Sequence, residues 1–321
     1  MLATGLSCGL IADPLSKVRQ IIDDELFSDL AVANDLCGHL RGYRGKMLRP
    51  TLLLLCGQAC GGITEEHLTL AAVLEIVHVA TLVHDDVLDE ADLRRRQPTI
   101  NRLHGNEAAV LLGDYLISHA FHLCSSVDAA ACRHIGATTN LVCEGELQQV
   151  HHRYDWELSV ERYMEIITRK TATLTGTACL LGARYAGASA VVAAALQQYG
   201  TDVGIAFQIT DDVLDITGSQ ERVGKTLGRD LEECKLTLPI LHALRHAASA
   251  TRKRSRDLVA SPTPDRAELA RLLTESGSIQ YTMETADRHV RAAISRLDAL
   301  APTDSRTTLA RLAQMILSRE T

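Results

Sequence analysis

The stretch from Thr81 to Asn101, TLVHDDVLDEADLRRRQPTIN, constrains this chain more than any other. It sets five carboxylates, Asp85, Asp86, Asp89, Glu90 and Asp92, directly against three arginines, Arg94, Arg95 and Arg96. Upstream, Leu68 to Val83 is an almost uncharged apolar run with helical spacing. On a helix Asp85 and Asp89 share one face and repel each other unless a cation lies between them. Hard divalent cations take oxygen ligands and complete their shells with phosphates. Guanidinium forks grip phosphate oxygens in pairs. Acid followed by base at the end of an apolar helix suits a ligand with an anionic head and an apolar body. Alone, a DDxxD is an ordinary solvated helix end, and a short motif of this kind has many chance matches.

A second copy changes that reading. Phe207 to Asp215, FQITDDVLD, has the same spacing and also ends an apolar helix, YGTDVGIAFQITDD. Carboxylates beside Ile205, Phe207, Ile209, Val213 and Leu214 are costly to bury without cations. If the two helices face each other, Asp85, Asp89 and Asp211 can together hold a cluster of metal ions with a diphosphate between them. The basic residues fall into groups. Lys46 and Arg49 share a face after GYRG, Arg94 and Arg95 follow the first motif, and Lys170, Lys225 and Lys235 stand in RKTATLTG, GKTLG and ECKLTLP. His78 lies on the stripe of Asp85. Taken singly, each has an ordinary structural reading.

The rest of the chain predicts an all-α fold. Apolar residues make up 46% and aromatics 3%, with seven prolines in 321 residues. Helix formers therefore dominate, and long helices meet few breaks. Helices are expected over Pro14–His39, Pro50–Cys60, Thr64 to the first motif, Asn106–Ser125, Ala129–His151, Ser159–Ala186, Ser189–Gly218 and Leu236–Ala250. Two or three more follow the Ser261–Pro264 loop. Gly38–Gly45 and Gly218–Lys235 read as loops. No alternating strand pattern or interdomain linker stands out. We expect one domain over residues 1–321, about ten to thirteen helices, with residues 1–12 a loose extension. The net charge of −7 argues against nucleic acid as a partner. Nine scattered cysteines without CxxC spacing read as reduced thiols. No apolar run is expected to cross a bilayer, so a cytoplasmic protein is expected.

On these residues the chain resembles the trans-isoprenyl diphosphate synthases, most of all the bacterial long-chain, octaprenyl-type enzymes. The resemblance rests on GKMLRP (45–50), HVATLVHDDVLDEADLRR (78–95), GNEAAVLLGDYL (105–116), EGELQQ (144–149), KTA (170–172), FQITDDVLD (207–215) and VGKTLGRDLEECKLTLP (223–239). It implies the isoprenoid synthase fold, a helical bundle around a deep central cavity, and a homodimer. It implies a prenyltransferase that joins isopentenyl diphosphate to an allylic diphosphate, with farnesyl diphosphate the expected primer. The product would be a long all-trans polyprenyl diphosphate of octaprenyl type, used for ubiquinone side chains and handed to membrane enzymes.

The same resemblance implies the site residues. Asp85, Asp89, Asp211 and Asp215 would hold Mg2+, three ions per site, with Mn2+ able to replace it. Asp86 and Asp212 complete the catalytic motifs. Arg94, Lys170, Lys225 and Lys235 would hold the allylic diphosphate, and Lys46, Arg49, His78 and Arg95 the isopentenyl diphosphate. Thr171 and Gln208 would stabilise the allylic cation. Three positions depart from the family pattern: Met47 stands for an Arg, and Arg96 and Cys234 stand where Gly is common.

Product length is expected to follow from the face of the first-motif helix. Val73, Val77, Ala80 and Thr81 run back from Asp85, Ala80 about 7.5 Å and Val73 about 18 Å below it at 1.5 Å per residue. Small residues at 80 and 81 leave a tunnel open and predict a long product. The alternatives are a shorter-chain synthase of the farnesyl or geranylgeranyl type, or a non-catalytic partner subunit. A class I terpene cyclase would carry a different second metal motif.

Overall fold

The computed structural model describes residues 9–40, 45–218 and 227–318. They hold sixteen α-helical segments and one two-residue hairpin. The first half comprises α1 (Ala12–Glu25), α2 (Ala31–His39), α3 (Leu48–Cys60), α4 (Glu65–Leu88), α5 (Ile100–His104), α6 (Asn106–Ser125) and α7 (Ala129–His151). The second comprises α8 (Val160–Ile167), α9 (Thr173–Tyr185), α10 (Ala190–Thr217), α11 (Arg229–Glu232), α12 (Leu238–His246), α13 (Ser249–Val259), α14 (Arg266–Glu275), α15 (Ser278–Arg296) and α16 (Asp304–Leu317).

Helix starts follow their caps. Ser159 accepts from the Arg162 N–H at 3.1 Å and Ser189 from the Val192 N–H at 3.3 Å, satisfying donors that the first turn leaves open. The Thr64 N–H donates to Nδ1 of His67, three residues on, at 3.1 Å. Breaks divide three of the expected helices, Leu236–Ala250 among them, which stops at His246 before α13 starts at Ser249. Pro14–His39 separates into α1 and α2 because Asn34 folds back: its Oδ1 accepts from the Ser28 N–H at 2.9 Å. Ser159–Ala186 is α8 and α9, joined by a π-helical turn, Thr168–Ala172.

The all-α reading holds, and one short hairpin is added to it among the described residues. Leu93 pairs with Pro98 and Arg94 with Gln97, antiparallel. Arg95 (φ 51°) and Arg96 (φ 66°) make the two-residue turn between them, and left-handed backbone at both turn positions is what a twisted hairpin requires. The positions where Arg96 and Cys234 (φ 53°) replace the expected glycines are thus left-handed, as is Met47 (φ 51°), a conformation glycine adopts at lower cost.

The core runs from α4 through α3 and α9 to α10. α10 packs along α9 and α15, α4 along α6, and α3 along α9. Fully buried Leu52–Leu55 of α3 and Leu70–Val73 and Val77 of α4 fill the interior, each large aliphatic contributing about 1.5–3 kcal/mol. Among the described residues α4 alone is long and apolar enough, by length and composition, to cross a membrane. Most of it is buried inside the bundle, which accounts for its composition. Ile11, within the expected extension, is fully buried in the same core.

Candidate active site

Two acidic helix ends are linked by segments that carry lysines to the first of them. α4 ends on Asp85, Asp86 and Asp89, and the last two turns of α10 carry Asp211, Asp212 and Asp215. Lys235, buried before α12, places Nζ 3.0 Å from Asp89 Oδ1 and 3.9 Å from Asp230 Oδ1 of α11. Asp215 Oδ1 accepts from the Gly228 N–H at 3.1 Å, at the start of that same helix. The 228–235 segment therefore ties the two motifs together. Arg229 also donates to the Glu90 carbonyl, at the edge of an open polar cleft formed with Asp92, Asn101, Arg102 and Asn106.

Lys170 enters from the π turn. Its ammonium pairs with Glu146 and donates to Gln149 Oε1 at 2.6 Å. Burial works against that charge, but Asp85 and Glu146 outweigh it and hold the pKa above the usual lysine range. The turn is squeezed between two glycines. A Cβ on Gly145 of α7 would lie 2.4 Å from the Lys170 nitrogen, and one on Gly204 of α10 2.6 Å from the Ala172 Cα. Neither approach tolerates a side chain, so α7 and α10 close on the turn that carries Lys170 and Thr171.

Burial pushes the Asp85 carboxyl up to about 6; Lys170 opposes it, and Glu146 and Asp89 add to it. Asp89 stays below the usual carboxylate range: burial is outweighed by Lys235 and Lys170. Glu146 Oε1 and Glu233 Oε1 are buried without a hydrogen-bond partner. This crowd of carboxylate oxygens fits a hard divalent cation, which prefers oxygen donors and relieves their mutual repulsion.

The middle aspartates are held differently. Asp86 Oδ1 takes both Nε and Nη2 of Arg94, at 2.8 and 2.7 Å, so Arg94 is anchored to the first motif itself. Asp212 is buried, accepting from the Tyr163 hydroxyl at 2.6 Å and from Gln208 Nε2 at 2.8 Å. Gln208 Oε1 accepts from Thr171 Oγ1 at 2.8 Å. A single chain of bonds thus runs Thr171, Gln208, Asp212, Tyr163.

The second basic group is separate. A Cβ on Gly45 would lie 2.2 Å from Arg95 Nη2, so the arginine of the hairpin covers the backbone just before Lys46. Burial pushes Arg49 down to about 10, with Glu75 countering and Arg95 adding to the fall. His78 is held well below its usual pKa by burial and then by Arg49, Arg95 and Arg94. Arg49, His78 and Arg95 therefore share one cationic neighbourhood. Lys225 lies outside the described residues. Val73, Val77 and Ala80 are fully buried, whereas Thr81 is half-buried and donates to the His78 carbonyl at 2.8 Å.

Sequence reasoning missed Tyr163, Glu146, Gln149, Arg153, Asp230 and Glu233. Arg153 pairs with Glu233 and lies 3.8 Å from Asp89. Glu146 and Gln149 stand in EGELQQ, next to Gly145; a glycine in an otherwise regular helix was the available signal of a close approach.

The family described as Polyprenyl synthetase matches residues 31–276. An octaprenyl diphosphate synthase of Haemophilus influenzae is 36% identical over 313 residues, 96% of this chain and 95% of that protein. A geranylgeranyl diphosphate synthase of Methanosarcina mazei is 35% identical over 285 residues, 86% of each. A polyprenyl synthase from Caulobacter crescentus, solved with calcium and isoprenyl diphosphate, superposes with a TM-score of 0.92 at 32% identity, covering 98% of this chain and 97% of that one. With a full-length likeness in sequence and in fold, this chain belongs to the polyprenyl synthetase family and is a trans-prenyltransferase.

Proposed function

We propose that the enzyme condenses isopentenyl diphosphate with an allylic diphosphate, farnesyl diphosphate as primer, and elongates it to octaprenyl diphosphate for ubiquinone side chains. The observation that carries this reading is the convergence of Lys170 and Lys235 on Asp85 and Asp89 while the same elements bind the second acidic helix. Such a pairing suits one diphosphate held between two carboxylate sets.

Asp85, Asp89, Asp211 and Asp215 would hold Mg2+, three ions per site. When bound, the metal stabilises the negative charge that grows on the departing diphosphate. Lys170, Lys235 and Arg94, with Lys225, hold that leaving group from the protein side. Lys46, Arg49, His78 and Arg95 hold the isopentenyl diphosphate, and the neutral His78 accepts or donates one hydrogen bond among cations. Thr171 and Gln208, fixed to each other and to Asp212, place their oxygen dipoles where the allylic cation forms. The isopentenyl double bond attacks that cation, and the released pyrophosphate takes the proton as the new double bond closes. Apolar residues around the motifs keep out water that would quench the cation.

The enzyme acts as a homodimer in the cytoplasm and passes its product to membrane enzymes. Exposed apolar side chains on α6 (Val110, Leu111, Phe121) and α7 (Leu147, Val150) support a partner surface. The likeness to a geranylgeranyl synthase keeps a shorter product as the second reading. Incubation of the purified protein with Mg2+, farnesyl diphosphate and labelled isopentenyl diphosphate decides between them. A ladder ending at octaprenyl supports the proposal, one ending at geranylgeranyl replaces the product length, and no product overturns the reaction.

A further inference from the structure

The end of α1 and the last turns of α6 bring together a carboxylate and two imidazoles that prenyl transfer does not use. His119 Nδ1 lies 2.8 Å and His122 Nδ1 2.9 Å from the same oxygen, Glu25 Oε1. The three ligand atoms lie within 4.8 Å of one another. His119 and His122 are three apart on α6 and share a face. Glu25 is largely buried, while the His122 side chain is 78% exposed, so the outer side of the cluster is open to water.

One carboxylate oxygen facing two imidazole nitrogens is served either by two N–H donors or by one cation that all three ligate. The surroundings favour a cation. Glu25 is the last residue of α1, and His122 lies in the last turn of α6. Both helix ends carry partial negative charge. The donors are also pre-set: Leu26, beside Glu25, is buried, and the Tyr115 ring packs on the His119 ring at 4.3 Å between centroids. Ligands on rigid helices lose little freedom on binding.

We propose that Glu25, His119 and His122 bind a divalent transition-metal ion of the Zn2+ class, through the carboxylate and both Nδ1 atoms, with water completing the shell. Two imidazoles and a carboxylate are donors such ions accept, whereas Mg2+ prefers oxygen alone. The cluster and the aspartate motifs therefore select different ions. On binding, each neutral imidazole carries its proton on Nε2 instead of Nδ1, and the ion links α1 to α6.

The test is a Co2+ titration of untagged protein in excess Mg2+, followed by the visible absorption of bound Co2+ and its displacement by Zn2+. The wild type and an Asp85→Ala/Asp211→Ala variant should each bind one Co2+ with the same spectrum. His122→Ala, a change at an exposed position that keeps the fold, should weaken binding by no less than the roughly 10–100-fold that loss of an outer-shell partner costs. Zn2+ should raise the Tm of the wild type and leave that of His122→Ala unchanged. Absence of Co2+ binding in the wild type, equal binding in His122→Ala, or loss confined to the aspartate variant would overturn the proposal.

Discussion

Lys235 Nζ stands 3.0 Å from Asp89 Oδ1, joining residues 146 positions apart. The same ammonium is 3.0 Å from Glu233 Oε2, and Lys235 is 5% exposed. Burial opposes its charge, but Asp230 and Asp89 prevail and raise its pKa. The two carboxylates respond differently: Asp89 falls below its usual range, while burial lifts Glu233 above its own. Lys235 thus keeps Asp89 ionised, the state a metal ligand needs.

Replacing Lys235 by Met should therefore do two things. It leaves buried carboxylates without their cation, a loss of about 3 kcal/mol for a broken buried pair. It also removes one cation from the proposed leaving-group site, costing roughly 10²–10³ in turnover. Urea unfolding and product formation measure the two effects separately. Lys235→Arg should recover most of the stability, and a Met variant with unchanged turnover would remove Lys235 from the site.

Tyr163→Phe tests the chain of bonds behind Thr171. Burial drives the Asp212 carboxyl well above its ordinary range, and its bonds to Tyr163 and Gln208 act in the opposite direction. Loss of the hydroxyl should cost about 1–3 kcal/mol, as for any buried acceptor left short. Gln208 and Thr171 then lose their fixed orientation. The expected kinetic result is a lower kcat with the KM for isopentenyl diphosphate unchanged, since that substrate is assigned to Arg49, His78 and Arg95.

His78 predicts an acid-sensitive fold. Its pKa is depressed in the native state, by burial first and then by Arg49. The unfolded chain, with an ordinary histidine near 6.5, binds the proton more readily. Its contribution is therefore fully present above about pH 6.5 and shrinks as pH falls toward the native pKa, by at most about 1.4 kcal/mol per pH unit. Because His78 is partly exposed, the slope should fall short of that limit. Urea midpoints at pH 7 and pH 5 should differ less in His78→Gln than in the wild type; equal differences would reject the assignment.

The parts of the site legible in the sequence are those that repeat or cluster. Two DDxxD motifs ending apolar helices stood out because each placed charge where burial is costly. α6 and α7 were bounded correctly because Gly105, Ser126 and Asp128 punctuate them. Tyr163 and Arg153 gave no signal, since a lone tyrosine or arginine on an amphipathic segment looks the same whether it faces solvent or a buried aspartate. The hairpin at 93–98 was hidden because Arg95 and Arg96 occupy a turn that usually announces itself with Asn or Gly. The break between α1 and α2 depended on Asn34 bonding six residues back, beyond any helical period.

Product length is the property that α4 should control most directly, and positions 80 and 81 separate packing from gating. Ala80 is fully buried, so a phenyl group there either fills a channel meant for product or displaces its neighbours. Displacement costs about 1–3 kcal/mol. Thr81 is half-buried on the face of Asp85, and its hydroxyl bonds only to its own helix among the described partners. Thr81→Phe can extend into the site without that cost. If a floor at this depth limits growth, both variants should stop in the farnesyl to geranylgeranyl range on thin-layer chromatography, with Ala80→Phe losing more Tm. The small cavity beside Ile76 and Val79, of about 20 Å³, has room for one water rather than a prenyl chain. A full-length ladder from Ala80→Phe with a lowered Tm would mean that Ala80 serves packing and that another helix sets the length.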